Sequence, residues 1–251
     1  MEFTVGCSMD ELRSNHALAD LPILNIENPL YPGYLAENHP HDIDYLRNSY
    51  PGRLILDGPY IDLNLGSPEP AVRSLARRRT LSSMGYAREC GAESLIIQST
   101  YLPFIGVESY DRGWIEQSIV SWRDVLQSDV PVDIALCNTF EFYPEPLIEV
   151  ADALADSRIE IAFDVGHCLV WGRIEPIEWY RRVRSKCRYI YLHSNDGKGD
   201  HHGPIRSGLL QELEVLQSLK GELRSDSVLI LKYFDKQTVI DDLHYLAAIF
   251  R

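Results

Sequence analysis

The chain has 251 residues, 45% of them apolar, and a formal net charge of −13. That apolar share supports a sizeable core, whereas the negative charge disfavours nucleic acid, whose binding needs Lys and Arg to displace counterions. No apolar run approaches the roughly 20 residues of a membrane span, and the opening MEFTVGCSMDELR lacks the basic and apolar regions of a signal peptide.

The first β-rich run is FTVGC (3–7), with a weak helical pattern near 9–19. PILNIE (22–27) follows, then the segment NHPHD with His39 and His41, expected as a solvated loop, and a weak helical pattern near 41–48. RLILD (53–57) precedes a stronger helical pattern at 70–90, in which Arg77, Arg78 and Arg79 form a solvated or salt-bridged face. SLIIQ (94–98) leads to a helix at 114–127, and DIALCN (133–138) to one at 144–156. IEIAFD (159–164) precedes 175–185, YIYLH (189–193) precedes 209–222, and VLILK (228–232) precedes 236–249. Eight strands alternating with eight helices over about 250 residues predict one (β/α)₈ barrel domain over residues 1–251. The runs are short and apolar, as strands buried on both faces are. The five cysteines are scattered and odd in number, which suits reduced thiols and, with the missing signal peptide, a cytoplasmic location.

Active sites of this fold sit at the C-terminal strand ends. Those ends read Cys7, Glu27, Asp57, Gln98, Cys137-Asn138, Asp164, His193 and Lys232. Generic turn residues would not place carboxylates, a histidine and a lysine at the ends of buried strands. Asp164 and His167, then His193, then Asp200 and His202 carry the donors that Zn²⁺ and Mn²⁺ prefer. They converge only if the sixth and seventh strands are parallel neighbours. Cys137 is either a thiolate ligand or a small apolar filler, and Asp57 can bind metal through oxygen. Gln98 suits hydrogen bonds to substrate hydroxyls. Trp171, in the loop after FDVGH, is a candidate to stack on a sugar ring. Trp114, Trp122 and Trp179 fall in helical patterns and are expected to pack.

The segments DGPYIDLNLGSPEP (57–70), CNTFEFYPEPLIEVADAL (137–154), FDVGH (163–167), YLHSND (191–196) and DHHGPIRSG (200–208) resemble the xylose-isomerase-like barrels. That superfamily includes sugar and sugar-phosphate isomerases and epimerases, and the AP endonuclease family 2 (endonuclease IV-like) phosphodiesterases. The resemblance implies that Asp164, His167, His193, Asp200 and His202 hold a divalent metal, with His167, Asp200 and His202 as one intact trio. It also implies metal-binding glutamates where this chain has Cys137 and Lys232, histidines where it has Asp57 and Gln98, and a glycine where Arg206 stands. Asn138 is retained, with a substrate-binding role.

The usual acid–base pair is thus missing, and Glu141, Lys232 and Asp164 are the candidates to replace it. Lys232, expected beside Asp164, either binds an anionic group together with Arg206 or forms a buried ion pair. Three functions compete: a metal-dependent sugar or sugar-phosphate isomerase or epimerase, placed first; a phosphoester hydrolase on a small substrate; and a non-catalytic barrel that binds a small ligand. They predict one ion, two ions and no ion respectively. The resemblance also implies a possible homodimer.

Overall fold

The computed structural model describes residues 1–27, 32–155, 158–233 and 236–250, with backbone only for 32–39 and 236–237. Eight parallel strands close into a barrel in sequence order. They are β1 (Glu2–Cys7), β2 (Ile23–Glu27), β3 (Arg53–Asp57), β4 (Ser94–Gln98), β5 (Asp133–Cys137), β6 (Ile159–Asp164), β7 (Cys187–Leu192) and β8 (Val228–Leu231). The last strand pairs with the first, Glu2 opposite Val228 through Val5 opposite Leu231, so no sheet edge is left open.

Side chains alternate across a strand, which splits the apolar residues into two cores. Ile23, Ile55, Ile96, Ala135, Ala162, Tyr189, Tyr191, Val228 and Ile230 fill the barrel interior. Their neighbours, among them Leu24, Leu54, Leu95, Leu136, Ile161, Ile190 and Leu229, face the surrounding helices. Small residues inside the barrel, Ala135 and Ala162, make room for the two tyrosines. The Tyr189 hydroxyl, buried at this depth, meets the Ser94 hydroxyl rather than remaining unpaired.

The helices are α1 (Met9–Ser14), α2 (His16–Ala19), α3 (Pro32–Asn48), α4 (Pro70–Cys90), α5 (Glu108–Leu126), α6 (Glu145–Leu154), α7 (Val165–Trp171), α8 (Pro176–Val183), α9 (Gly208–Glu212), α10 (Val215–Lys220) and α11 (Lys236–Ile249). Local chemistry sets several ends. Ser8 and Glu11 form a capping box at α1, and α4 starts on Pro70 and stops at Gly91 in the left-handed region. Four expectations need correcting. His41 lies within α3 rather than a loop, and the His39 side chain lies outside the described residues. α5 begins at Glu108, ahead of residue 114. The 209–222 pattern breaks at Glu214, which has φ +48° and separates α9 from α10. Finally, α7 follows β6 directly, so Trp171 closes a helix instead of lying in a loop. Among the described residues no helix is long and apolar enough to cross a membrane.

Candidate metal centre

Asp57, Gln98, Cys137, Asp164 and Lys232 each stand two residues beyond an inward-facing core residue, and therefore face inward too. All five line one cavity of about 1180 Å³, shared with Glu27, His167, Asp200 and His202. Glu27 continues the inward column of Ile23 and Asn25 in the same way.

The histidines reach the strand ends by different routes. Asp164 caps α7 by accepting the His167 backbone N–H at 2.9 Å, so the first turn of α7 carries the His167 ring to the strand ends. His193 follows β7 directly and is fully buried. Gly166 lets α7 pass above it: an added Cβ there would lie 2.0–2.5 Å from three atoms of the His193 ring. Beyond β7, Ser194 and Gly203 form an antiparallel bridge through two backbone hydrogen bonds of 2.8 and 2.7 Å. The bridge folds the intervening loop back, stacking the His202 ring on His193 at 3.9 Å and 8°.

Asp200 sits between the rings. Its Oδ2 lies 3.1 Å from His202 Nε2 and 3.4 Å from His167 Nε2, and its Oδ1 lies 3.6 Å from His193 Nδ1. One donor atom from each of His167, His193, Asp200 and His202 falls within 4.8 Å of the others. Both His193 ring nitrogens and Asp200 Oδ1 are buried without a hydrogen-bond partner. His193 Nε2 does approach Asp164 Oδ1 at 2.9 Å, but in poor alignment. Buried unpaired donors are costly unless something binds them. The donor set and these orphaned atoms fit a borderline divalent ion.

Two backbone carbonyls fix the tautomers. His167 Nδ1–H donates to the Asn138 carbonyl at 2.7 Å, and His202 Nδ1–H to the Lys232 carbonyl at 2.8 Å. Each ring therefore turns Nε2 toward Asp200. The Asn138 side chain grips both backbone groups of Asp164, accepting from its N–H at 2.7 Å and donating to its C=O at 3.0 Å.

The electrostatics match this arrangement. Burial alone would raise Asp164 and Asp200, but the adjoining imidazoles outweigh it and hold both carboxyls well below the usual range. Burial would lower His167, yet Asp164 and Asp200 lift it to about 9. His193 is pushed down, because burial outweighs the pull of Asp164.

Several expected residues stand elsewhere. Lys232 does not pair with Asp164: its ammonium bonds Asp57 and lies 3.6 Å from Glu27. Asp57 is not free for metal, since Lys232 occupies one oxygen while Tyr191 and Asn25 donate to the other. Cys137 is fully buried, and burial followed by the charges of Asp164 and Asp57 pushes its thiol up, away from the thiolate a metal needs. It packs with Ala135 and Ala162 in the barrel interior. Arg206 pairs with buried Asp242, and its guanidinium lies 5.2 Å above the Tyr245 ring, away from the cavity lining. The Asn138 amide bonds the Asp164 backbone and is not among the residues lining the cavity. Glu141 is buried behind Thr139, accepting from the Ser99 hydroxyl and the Thr139 N–H. Gln98 and Trp171 do line the cavity. Trp171 lies 5.4 Å from His167 and meets Phe140 edge-on at 4.8 Å. Sequence reasoning missed Asn25 and Tyr191; their strand parity with Glu27 and His193 was the available signal.

A family model described as xylose isomerase-like TIM barrel matches residues 46–249. The chain belongs to that family. Within the xylose isomerase-like barrels, an uncharacterised protein of Methanocaldococcus jannaschii is 25% identical over 205 residues, 77% of this chain and 69% of that one. A D-tagatose 3-epimerase-like protein superposes with a TM-score of 0.80 at 22% identity, covering 100% of this chain and 98% of that one. A Thermus thermophilus protein soaked with zinc chloride gives 0.77 at 24% identity, with both chains fully covered. At these identities the two structures establish the fold.

Proposed function

We propose that this chain is a divalent-metal-dependent isomerase or epimerase of a small sugar or sugar phosphate, with a single ion held by His167, Asp200 and His202 beside His193. The observation that carries the reading is the convergence of donor atoms from His167, His193, Asp200 and His202 beside one cavity, with His193 Nδ1 and Asp200 Oδ1 buried and unpaired. A divalent ion there, Zn²⁺ or Mn²⁺, would polarise the carbonyl and hydroxyl oxygens of a sugar. Asp164 and Asn138 hold His167 in place. Lys232 keeps its charge, because Asp57 and Glu27 outweigh the effect of burial, and it offers a fixed positive charge to a substrate oxygen that turns anionic. Glu27, on the cavity wall 3.6 Å from Lys232, takes the proton from carbon in place of the missing glutamates. Trp171 and Phe140 present apolar faces to the C–H side of the ring, and Gln98 bonds its hydroxyls. The neighbouring D-tagatose 3-epimerase-like structure supports a sugar as the substrate class.

The test is solvent deuterium exchange. Ketopentoses, ketohexoses and their phosphates are incubated in D₂O with Mn²⁺- or Zn²⁺-loaded protein and followed by proton NMR. Deuterium should enter beside the carbonyl, only with metal, and not in His202→Ala. The intact trio, with Cys137 and Lys232 where carboxylates would move protons, favours a second reading: hydrolysis of a small phosphoester. Metal-dependent phosphate release without exchange would establish it, and metal binding with neither reaction would leave a ligand-binding barrel.

A further inference from the structure

The donors for the metal and a second apolar stretch of the cavity, apart from Trp171 and Phe140, occupy opposite sides of the barrel. His167, His193, Asp200 and His202 follow β6 and β7. The residues following β3 and β4 face them across the mouth, because β3 and β7 are four strands apart in a closed ring of eight. On that far side Ile61, Leu63, Val72, Leu75 and Leu102 line the cavity, with the polar groups of Asp62, Asn64, Arg79 and Thr100 among them. Val72 and Leu75 are three residues apart, on one face of α4. Ile61 is 50% and Leu75 37% exposed, and Phe104, 58% exposed, carries the apolar surface past the rim. Apolar residues gathered at one rim mark a binding surface. The cavity of about 1180 Å³ is continuous from this surface to the metal donors. Pockets that enclose a drug-sized ligand span about 300–1,000 Å³, and a free monosaccharide is smaller than such a ligand. Seated at the donors, a simple sugar would leave the far wall in water.

We propose that this far wall is a subsite for an apolar or aromatic substituent, so that the substrate is a sugar carrying such a group as well as the carbonyl required above, rather than an unsubstituted sugar. The inference rests on the sugar-binding reading above. Its ligand chemistry follows from the pairing of polar donors at one end of a single cavity with exposed apolar side chains at the other.

Calorimetric titration of the full zinc-loaded chain with matched methyl and 4-nitrophenyl glycosides of glucose, galactose and mannose, both anomers, tests it. At least one sugar should bind about tenfold or more tightly as its aryl glycoside. That preference should fall close to unity in Ile61→Asp and in Leu75→Asp, whose exposed positions spare the core, while their Zn²⁺ affinity stays unchanged. A ratio near unity for every sugar, including no measurable binding by either partner of a pair, overturns the proposal. So does an aryl preference that survives both variants. A wild-type dimer that Ile61→Asp converts to monomer, without an aryl preference, would mean that a second copy of the chain covers the wall. His202→Ala separates the two readings. Parallel loss of methyl and aryl affinity supports a sugar at the metal, whereas unchanged affinity for both refutes that reading and leaves the aryl-to-methyl ratio standing alone.

Discussion

Asn138→Leu should weaken metal binding although Asn138 touches no metal. The side chain makes two hydrogen bonds to the Asp164 backbone, of 2.7 and 3.0 Å, and the Asn138 carbonyl takes the His167 Nδ1 proton at 2.7 Å. Leucine fills similar space but leaves the Asp164 N–H without an acceptor inside the protein. An orphaned buried group of this kind costs about 1–3 kcal/mol. Relief comes by moving the end of β6, which carries both the Asp164 cap and the first turn of α7. His167 Nε2 then no longer meets Asp200 at its present angle. Disturbing a partner that orients a metal-binding histidine costs about 10–100-fold in affinity. Asn138→Asp keeps an acceptor for the N–H but sets a carboxylate against the Asp164 carbonyl, so it should fall between wild type and leucine. Zn²⁺ affinity is read by competition with a chromophoric chelator, and stability by urea unfolding of the metal-free protein. Zn²⁺ affinity within twofold of wild type in both variants, alongside a loss of stability, would show that Asn138 only staples β5 to β6.

Lys232→Met should destabilise the metal-free protein by about 3–5 kcal/mol, because it leaves the Asp57 carboxylate at the barrel mouth with its Tyr191 and Asn25 bonds but without its opposing charge. Adding Asp57→Asn should recover most of that loss in urea unfolding, and no recovery would refute the pairing. Burial raises Glu141 from 4.5 to about 7, against the opposing bonds from Ser99 and Thr139. Between those pH values the folded chain holds a proton that the unfolded chain has lost, so this group makes stability fall as pH rises from about 4.5 to 7. Glu141→Gln should flatten that slope in unfolding curves taken across the range. His167, lifted to about 9 by Asp164 and Asp200 against burial, must lose its proton to bind an ion. Apparent Zn²⁺ affinity should therefore climb with pH up to about 9 in titrations, and a flat profile would remove His167 from the donor set.

The strands were legible because each is a short apolar run ending in a polar residue, and burial on both sides leaves few other readings. α7 was not, since seven residues joined directly to a strand give too little periodicity, and Gly166 reads as a breaker. The start of α3 was masked by Pro40, which reads as a helix stop. The convergence of His167, His193, Asp200 and His202 could be read from residue type and strand position. The partner of Lys232 could not. Strand order gave no means of choosing between Asp164 and Asp57, and the choice depends on how a long side chain lies across the barrel interior. Arg206 misled for a related reason: the sequence shows its charge beside the DHH segment but not the buried Asp242 that captures it.

Gly166 makes one position informative far beyond this chain. Even a methyl group there would overlap the His193 ring, so imidazole 193 and any larger residue 166 exclude each other. A relative could keep all three histidines and Asp200 in register and still be unable to assemble them if it carried alanine at this point. The room for ring 193 is thus set by a residue that offers no donor of its own.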